Sequence, residues 1–109
     1  MAHYMVQFAY SPQAWQALIQ KPEDRTAALE AMAKQFGGRL IALYYHPGKF
    51  DGFVLLEAPD DTTVNATVMA VQAAGGVATT RTTKLFSPKE FVDALGRASK
   101  VAYRAPGKK

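Results

Sequence analysis

The chain has 109 residues, of which 49% are hydrophobic and 20% charged, a globular composition of a size that one core usually serves. It has no cysteine, which excludes disulfides, thiolate metal sites and a cysteine nucleophile, and its longest apolar runs, such as Phe53 to Leu56, fall far short of the ~20 residues a membrane span needs. The net charge of +4 is unevenly placed: residues 1–83 hold six basic and seven acidic groups, residues 84–109 seven basic and two acidic.

The opening MAHYMVQFAY lacks the basic and then apolar pattern of a signal peptide, so a cytoplasmic protein is expected. His3 to Tyr10 alternates, with Tyr4, Val6, Phe8 and Tyr10 on one face and His3, Met5, Gln7 and Ala9 on the other. Both faces carry bulk, which predicts a strand covered at least partly on both sides. Ser11-Pro12 is an N-cap followed by a first helical residue, opening a short helix with Trp15, Leu18 and Ile19. Lys21-Pro22 interrupts it, because the residue before proline disfavours helical geometry.

Pro22 is expected to start the next helix, with Glu23 and Asp24 in the first turn where the helix dipole favours anions. Leu29, Met32, Ala33 and Phe36 form its apolar stripe, and Gly37-Gly38 ends it. Arg39 to His46 and Phe53 to Ala58 read as two strands joined across Pro47-Gly48, hence antiparallel. After Pro59, Asp60 or Asp61 caps a helix bearing Val64, Val68 and Val71 that closes at Gly75-Gly76. Val77 to Phe86 is a threonine-rich strand, with Val77, Thr79, Arg81, Thr83 and Leu85 expected on one face. Ser87-Pro88-Lys89-Glu90 is a capping box for a last helix with Phe91, Val92 and Leu95, ending before Pro106-Gly107.

The order β-α-β-β-α-β plus a C-terminal helix predicts an α+β, ferredoxin-like fold: a four-stranded antiparallel sheet with its helices on one face. Residues 1–95 form that domain and residues 96–109 a basic helical extension. Tyr4, Phe8, Tyr10, Leu43, Tyr45, Phe53 and Leu55 cannot all lie behind the same helices as Met5, Ile41, Val54 and Leu56. A monomer rarely exposes an apolar patch beyond a few hundred Å2. Two sheets are therefore expected to pair face to face as a homodimer or larger homo-oligomer, in a barrel-like arrangement.

The hairpin LYYHPGKFDGFVLLEAPDD offers the densest chemistry. Asp51, beside Gly48 and Gly52, either accepts turn amides and fixes the hairpin or holds His46 in one tautomer for general acid–base work. Tyr44 and Tyr45 point to opposite faces, so one at most lines an inter-sheet cavity. Arg81, a charge amid threonines, needs solvent, an acidic partner such as Glu57, or an anionic ligand. Gln7 on the first strand raises the same need. His3 reads as incidental and Arg25 as solvated. No phosphate loop, zinc spacing or nucleophile elbow is present, so no metal and no cofactor is expected.

GGRLIALYYHPGKFDGFVLLEAPDD resembles the GYD-domain proteins, a small bacterial family of the dimeric α/β-barrel group. Gly37-Gly38, the aromatic strand before Gly48, the Gly48-Lys49-Phe50-Asp51 turn and Glu57-Ala58-Pro59-Asp60-Asp61 carry the likeness, and Arg81-Thr82 and Phe86-Ser87 extend it over residues 3–95. Phe50 stands where the family signature has tyrosine. The resemblance implies the barrel fold and oligomerisation but no general reaction, and fold alone does not carry function.

A small organic molecule, anionic or aromatic, is expected in an inter-sheet pocket with Gln7, Tyr44, Tyr45, Phe50 and Arg81. If there is catalysis, cofactor-independent proton transfer or oxygenation would use His46 as base, with Asp51 behind it. The alternative is a non-catalytic structural or regulatory module that docks on a partner through its basic tail. Nothing supports nucleic-acid binding, since no aromatic stacking platform accompanies the basic residues.

Overall fold

The computed structural model describes residues 1–108. The chain runs β1 (Ala2–Tyr10), α1 (Pro12–Gln20), α2 (Thr26–Gln35), β2 (Arg39–Tyr45), β3 (Gly52–Ala58), α3 (Asp61–Ala73), β4 (Val77–Leu85) and α4 (Pro88–Ala98). The strands form one antiparallel sheet in the order β2-β3-β1-β4. This is the expected ferredoxin-like α+β architecture, with the first crossover split into two helices.

The helix ends follow local chemistry. Ser11 Oγ accepts the Ala14 N–H at 3.2 Å, and Asp60 Oδ1 accepts the Thr63 N–H at 2.8 Å. At α4 both halves of the capping box form: the Glu90 N–H donates to Ser87 Oγ at 3.1 Å, and the Ser87 N–H to Glu90 Oε1 at 2.9 Å. Helix α2 differs from expectation, since it begins at Thr26 and not at Pro22. Asp24 captures the Thr26 N–H at 2.9 Å, and that local turn competes with helix over Pro22–Arg25. The helix closes with the Gly38 N–H on the Ala33 carbonyl and the Gly37 N–H on the Lys34 carbonyl. Gly37 takes φ +80°, the left-handed conformation such an ending needs.

Strand register decides which residues share a face. Tyr4 lies opposite Leu56, Val6 opposite Val54 and Phe8 opposite Gly52, and the side chains of Tyr4, Val6, Phe8, Val54 and Leu56 form the buried core with Ala58 and Val64. Helices α1, α2 and α3 cover this side. On the other face Met5 meets Leu55 and Thr83, Gln7 meets Phe53 and Arg81, and His3 meets Glu57 and Leu85. Phe53 and Leu55 therefore sit apart from Tyr4 and Phe8, while Val54 and Leu56 join them.

Two bulges shift residues that alternation alone misplaces. In β2, Ile41 and Ala42 together oppose Leu55. In β4, Tyr10 pairs with Val77 but Ala9 with Thr79, so Ala78 is the extra residue. Val77 is thereby turned to the core side, away from Thr79, Arg81 and Thr83. Among the described residues, no helix is long and apolar enough to cross a membrane.

Candidate functional site

Hydrogen bonds fix where the hairpin residues lie. Asp51 is buried, at 8% exposure. Its N–H donates to the Phe8 carbonyl at 2.8 Å, and its Oδ2 accepts the Tyr10 N–H at 2.9 Å. Pairing of β1 with β3 ends at Phe8–Gly52, so the Tyr10 amide lies past the last β3 carbonyl and Asp51 supplies its acceptor. His46 is tied to Asp51 through the main chain, its N–H donating to the Asp51 carbonyl at 2.9 Å. The exposed His46 ring lies against Phe53, centroids 5.6 Å apart. The structure thus places Asp51 as a clamp between hairpin and β1 and directs the imidazole to the opposite sheet face.

The two tyrosines also separate. Tyr44 is exposed on the open face beside Phe53, with ring centroids 5.8 Å apart. Tyr45 lies on the helix side, where its hydroxyl meets that of Tyr10 at 2.9 Å. Phe50 is half-buried in the turn. Gln7 is half-buried between Phe53 and the exposed Arg81 on the open face. Arg81 does not pair with Glu57. That carboxylate instead accepts from His3 Nε2 at 3.1 Å and Arg39 Nη2 at 3.0 Å, and the Arg39 bond chiefly holds its pKa below the ordinary value. Register explains it, since Glu57 lies opposite His3 and Arg39 while Arg81 lies opposite Gln7. His3, read as incidental from the sequence, is a member of this polar end.

The cavity is elsewhere. A space of about 390 Å3 opens between the sheet and helices α1–α3, walled by residues such as Val6, Val54, Leu29, Met32, Val64 and Val68. Its origin is side-chain size. Helix α3 turns Val64, Thr67, Val68 and Val71 toward the sheet, and α1 presents Ala14, Ala17 and Leu18. Such short side chains do not fill the gap between two layers, and interiors normally leave few voids larger than a water.

One margin of the cavity carries polar and aromatic groups. Arg25 and Glu23 pair at 2.8 Å where α1 passes into α2, so Arg25 is partnered and not simply solvated. Tyr10 joins Phe8 edge-on at 5.2 Å and Trp15 at 5.5 Å. Burial, and then the bond to Tyr45, push the Tyr10 phenol well above its ordinary pKa, with the Arg25 charge acting in the opposite sense. Tyr10 is therefore a neutral hydrogen-bonding group at physiological pH and not a base. This margin escaped the sequence reading. The only signal for it was the run of small residues facing inward on α1 and α3.

A second polar group lies at the far end of β1. The Tyr4 hydroxyl donates to Asp61 Oδ1, and Lys84 Nζ approaches the same oxygen at 3.4 Å. The Asp61 bond raises the Tyr4 pKa to about 12. In return Tyr4 first, and Lys84 second, lower that of Asp61. Among the described residues, no group of three or more His, Asp or Glu side chains is placed to hold a metal ion.

No curated protein matches the chain. Among solved structures, it is similar to the chain of a crystal structure of FFRP-DM1, with a TM-score of 0.49 and 12% identity over 79% of this chain and 100% of that one. The GYD domain matches residues 4–95. That span takes in every strand but the first two residues of β1, the hairpin, and α4 up to Leu95; the chain belongs to the GYD domain family.

Proposed function

We propose that this GYD-domain protein is a small-molecule-binding homo-oligomer whose ligand occupies the space between sheet and helices. The supporting observation is the cavity itself: about 390 Å3, apolar over most of its wall, with Arg25, Glu23 and Tyr10 at one margin. That volume falls in the ~300–1,000 Å3 range of small-molecule sites, and apolar walls with a few polar groups are their usual make-up. The ligand is an organic molecule with an apolar body and one polar or anionic end, the latter directed at Arg25 and the Tyr10 hydroxyl. This moves the pocket from between the sheets to the helix side.

The open sheet face supports the oligomer. Met5, Phe53, Leu55 and Leu85 gather there with Gln7 and Arg81, and no helix of α1–α3 lies over them. Gln7, Arg81, Tyr44 and His46 then line or border a contact between subunits.

Thermal-shift screening of apolar carboxylic acids and phenols tests the cavity reading, on wild type, Val68→Phe and Arg25→Ala. A ligand at 100 times its Kd stabilises by ~2.7 kcal/mol, about 10 °C at the ~4 °C per kcal/mol of a domain this size. Val68→Phe fills the space and abolishes the shift, whereas Arg25→Ala reduces it only for ligands with an anionic end. Equal shifts in wild type and Val68→Phe would remove the cavity as the site.

A further inference from the structure

We infer that α4 is an exchange arm: its apolar stripe packs on a second copy of this chain, and that copy's α4 packs on the first. Helix α4 is well made, with its capping box closed and an Arg97–Asp93 pair at 3.0 Å, yet it contributes nothing to the core of its own chain. Phe86, Phe91, Val92, Leu95, Val101 and Tyr103 are each more than half exposed. Phe91, Val92 and Leu95 are spaced to form one helical stripe, and Phe86 stands at the staple position before the cap.

The chain's shape shows that this surface is not covered from within. Its radius of gyration is 17.9 Å and its extents are 63 × 33 × 22 Å, where a compact domain of this length has a radius near about 13 Å.

The occupant is a second copy for two reasons. The first is area. At ~200 Å2 per aromatic side chain, the uncovered parts of Phe86, Phe91 and Tyr103 amount to roughly 400 Å2. A stable interface needs about 800 Å2 from each partner. The three aromatic side chains alone fall short of that, and a two-fold exchange that also covers the open sheet face enlarges the contact.

The second reason is continuity. Leu85, the last residue of β4, lies on the open face opposite His3, and α4 begins three residues later. The arm thus leaves from the margin of the surface proposed above to meet the other subunit, and the inference rests on that pairing for its geometry.

Sedimentation equilibrium of the full chain tests it, comparing wild type with Phe91→Glu/Leu95→Glu, the uncharged Phe91→Ser/Leu95→Ser, and Leu55→Gln on the open face. The expected result is a wild-type dimer and a dimer Kd at least ~100-fold weaker in both arm variants, since two apolar anchors per subunit are lost. Circular dichroism and Tm of the monomer should stay unchanged, because neither side chain touches the core. If the arm variants weaken the dimer and Leu55→Gln does not, the arm carries the association without the open face, and the exchange in this geometry falls together with the sheet-face pairing. If the arm variants retain wild-type affinity, or lower Tm without weakening the dimer, the exchange is overturned and Leu55→Gln judges the face alone. A wild type that is monomeric at every concentration overturns it too, leaving the stripe for a different protein.

Discussion

Replacing Asp51 by alanine separates the two readings of the hairpin, because each predicts loss of a different quantity. The carboxylate is 8% exposed and its one side-chain bond takes the Tyr10 N–H at 2.9 Å. In Asp51→Ala that part-buried amide loses its acceptor. A buried donor stripped of its partner costs about 1–3 kcal/mol. At ~4 °C per kcal/mol the melting point falls by about 4–12 °C. With a urea m-value of ~1.5 kcal/mol/M the midpoint falls by about 0.7–2 M.

The loss should be local in origin. Hydrogen exchange of the Tyr10 amide accelerates most, followed by that of His46, whose own amide bonds to the Asp51 carbonyl. Urea titration of wild type, Asp51→Ala and Asp51→Asn, with exchange read by NMR, measures all of this. Asparagine keeps an acceptor and should recover part of the stability. The clamp is refuted if Asp51→Ala unfolds at the wild-type midpoint and its Tyr10 amide exchanges at the wild-type rate.

Two further outcomes follow from crowding and charge. A Cβ at Gly38 would lie 2.1 Å from the Glu57 carbonyl oxygen and 2.4 Å from Phe36 Cε1; because the nearest atom is backbone, Gly38→Ala should cost several kcal/mol, seen as a low-melting or insoluble protein. The Tyr4 and Asp61 pair makes stability depend on pH at both limbs. Tyr4 is raised from 10.0 to about 12, so its contribution is whole below pH 10 and is lost as pH climbs from 10 through 12. Asp61 and Glu57 are lowered from 3.8 and 4.5, so their contributions hold above those values and vanish as pH drops below them. Tyr4→Phe should flatten the alkaline limb and weaken the acid one; unchanged unfolding curves at pH 11 would refute the pairing.

Sequence alone carried the elements and their order, because their signals are local. Serine, aspartate and proline at helix starts, glycine pairs at helix ends and alternation in β1 act over a few residues of chain. Even the two-faced character of β1 was legible from bulk at successive positions. Where one local signal met another, chemistry decided: Asp24 outcompeted Pro22 for the start of α2 by capturing the Thr26 amide.

What tertiary structure decided was everything set by register and by distance between layers. A single extra residue, Ala78, sent Val77 to the core and kept Arg81 opposite Gln7; no pattern in the strand itself marks which residue bulges. Glu57 found His3 and Arg39 because strands far apart in sequence align there. The cavity is the deepest case. It belongs to no residue, but arises where the small residues of α1 and α3, with Leu29 and Met32 of α2, face a sheet across a gap they do not fill, and a volume between elements cannot be read along the chain that makes them.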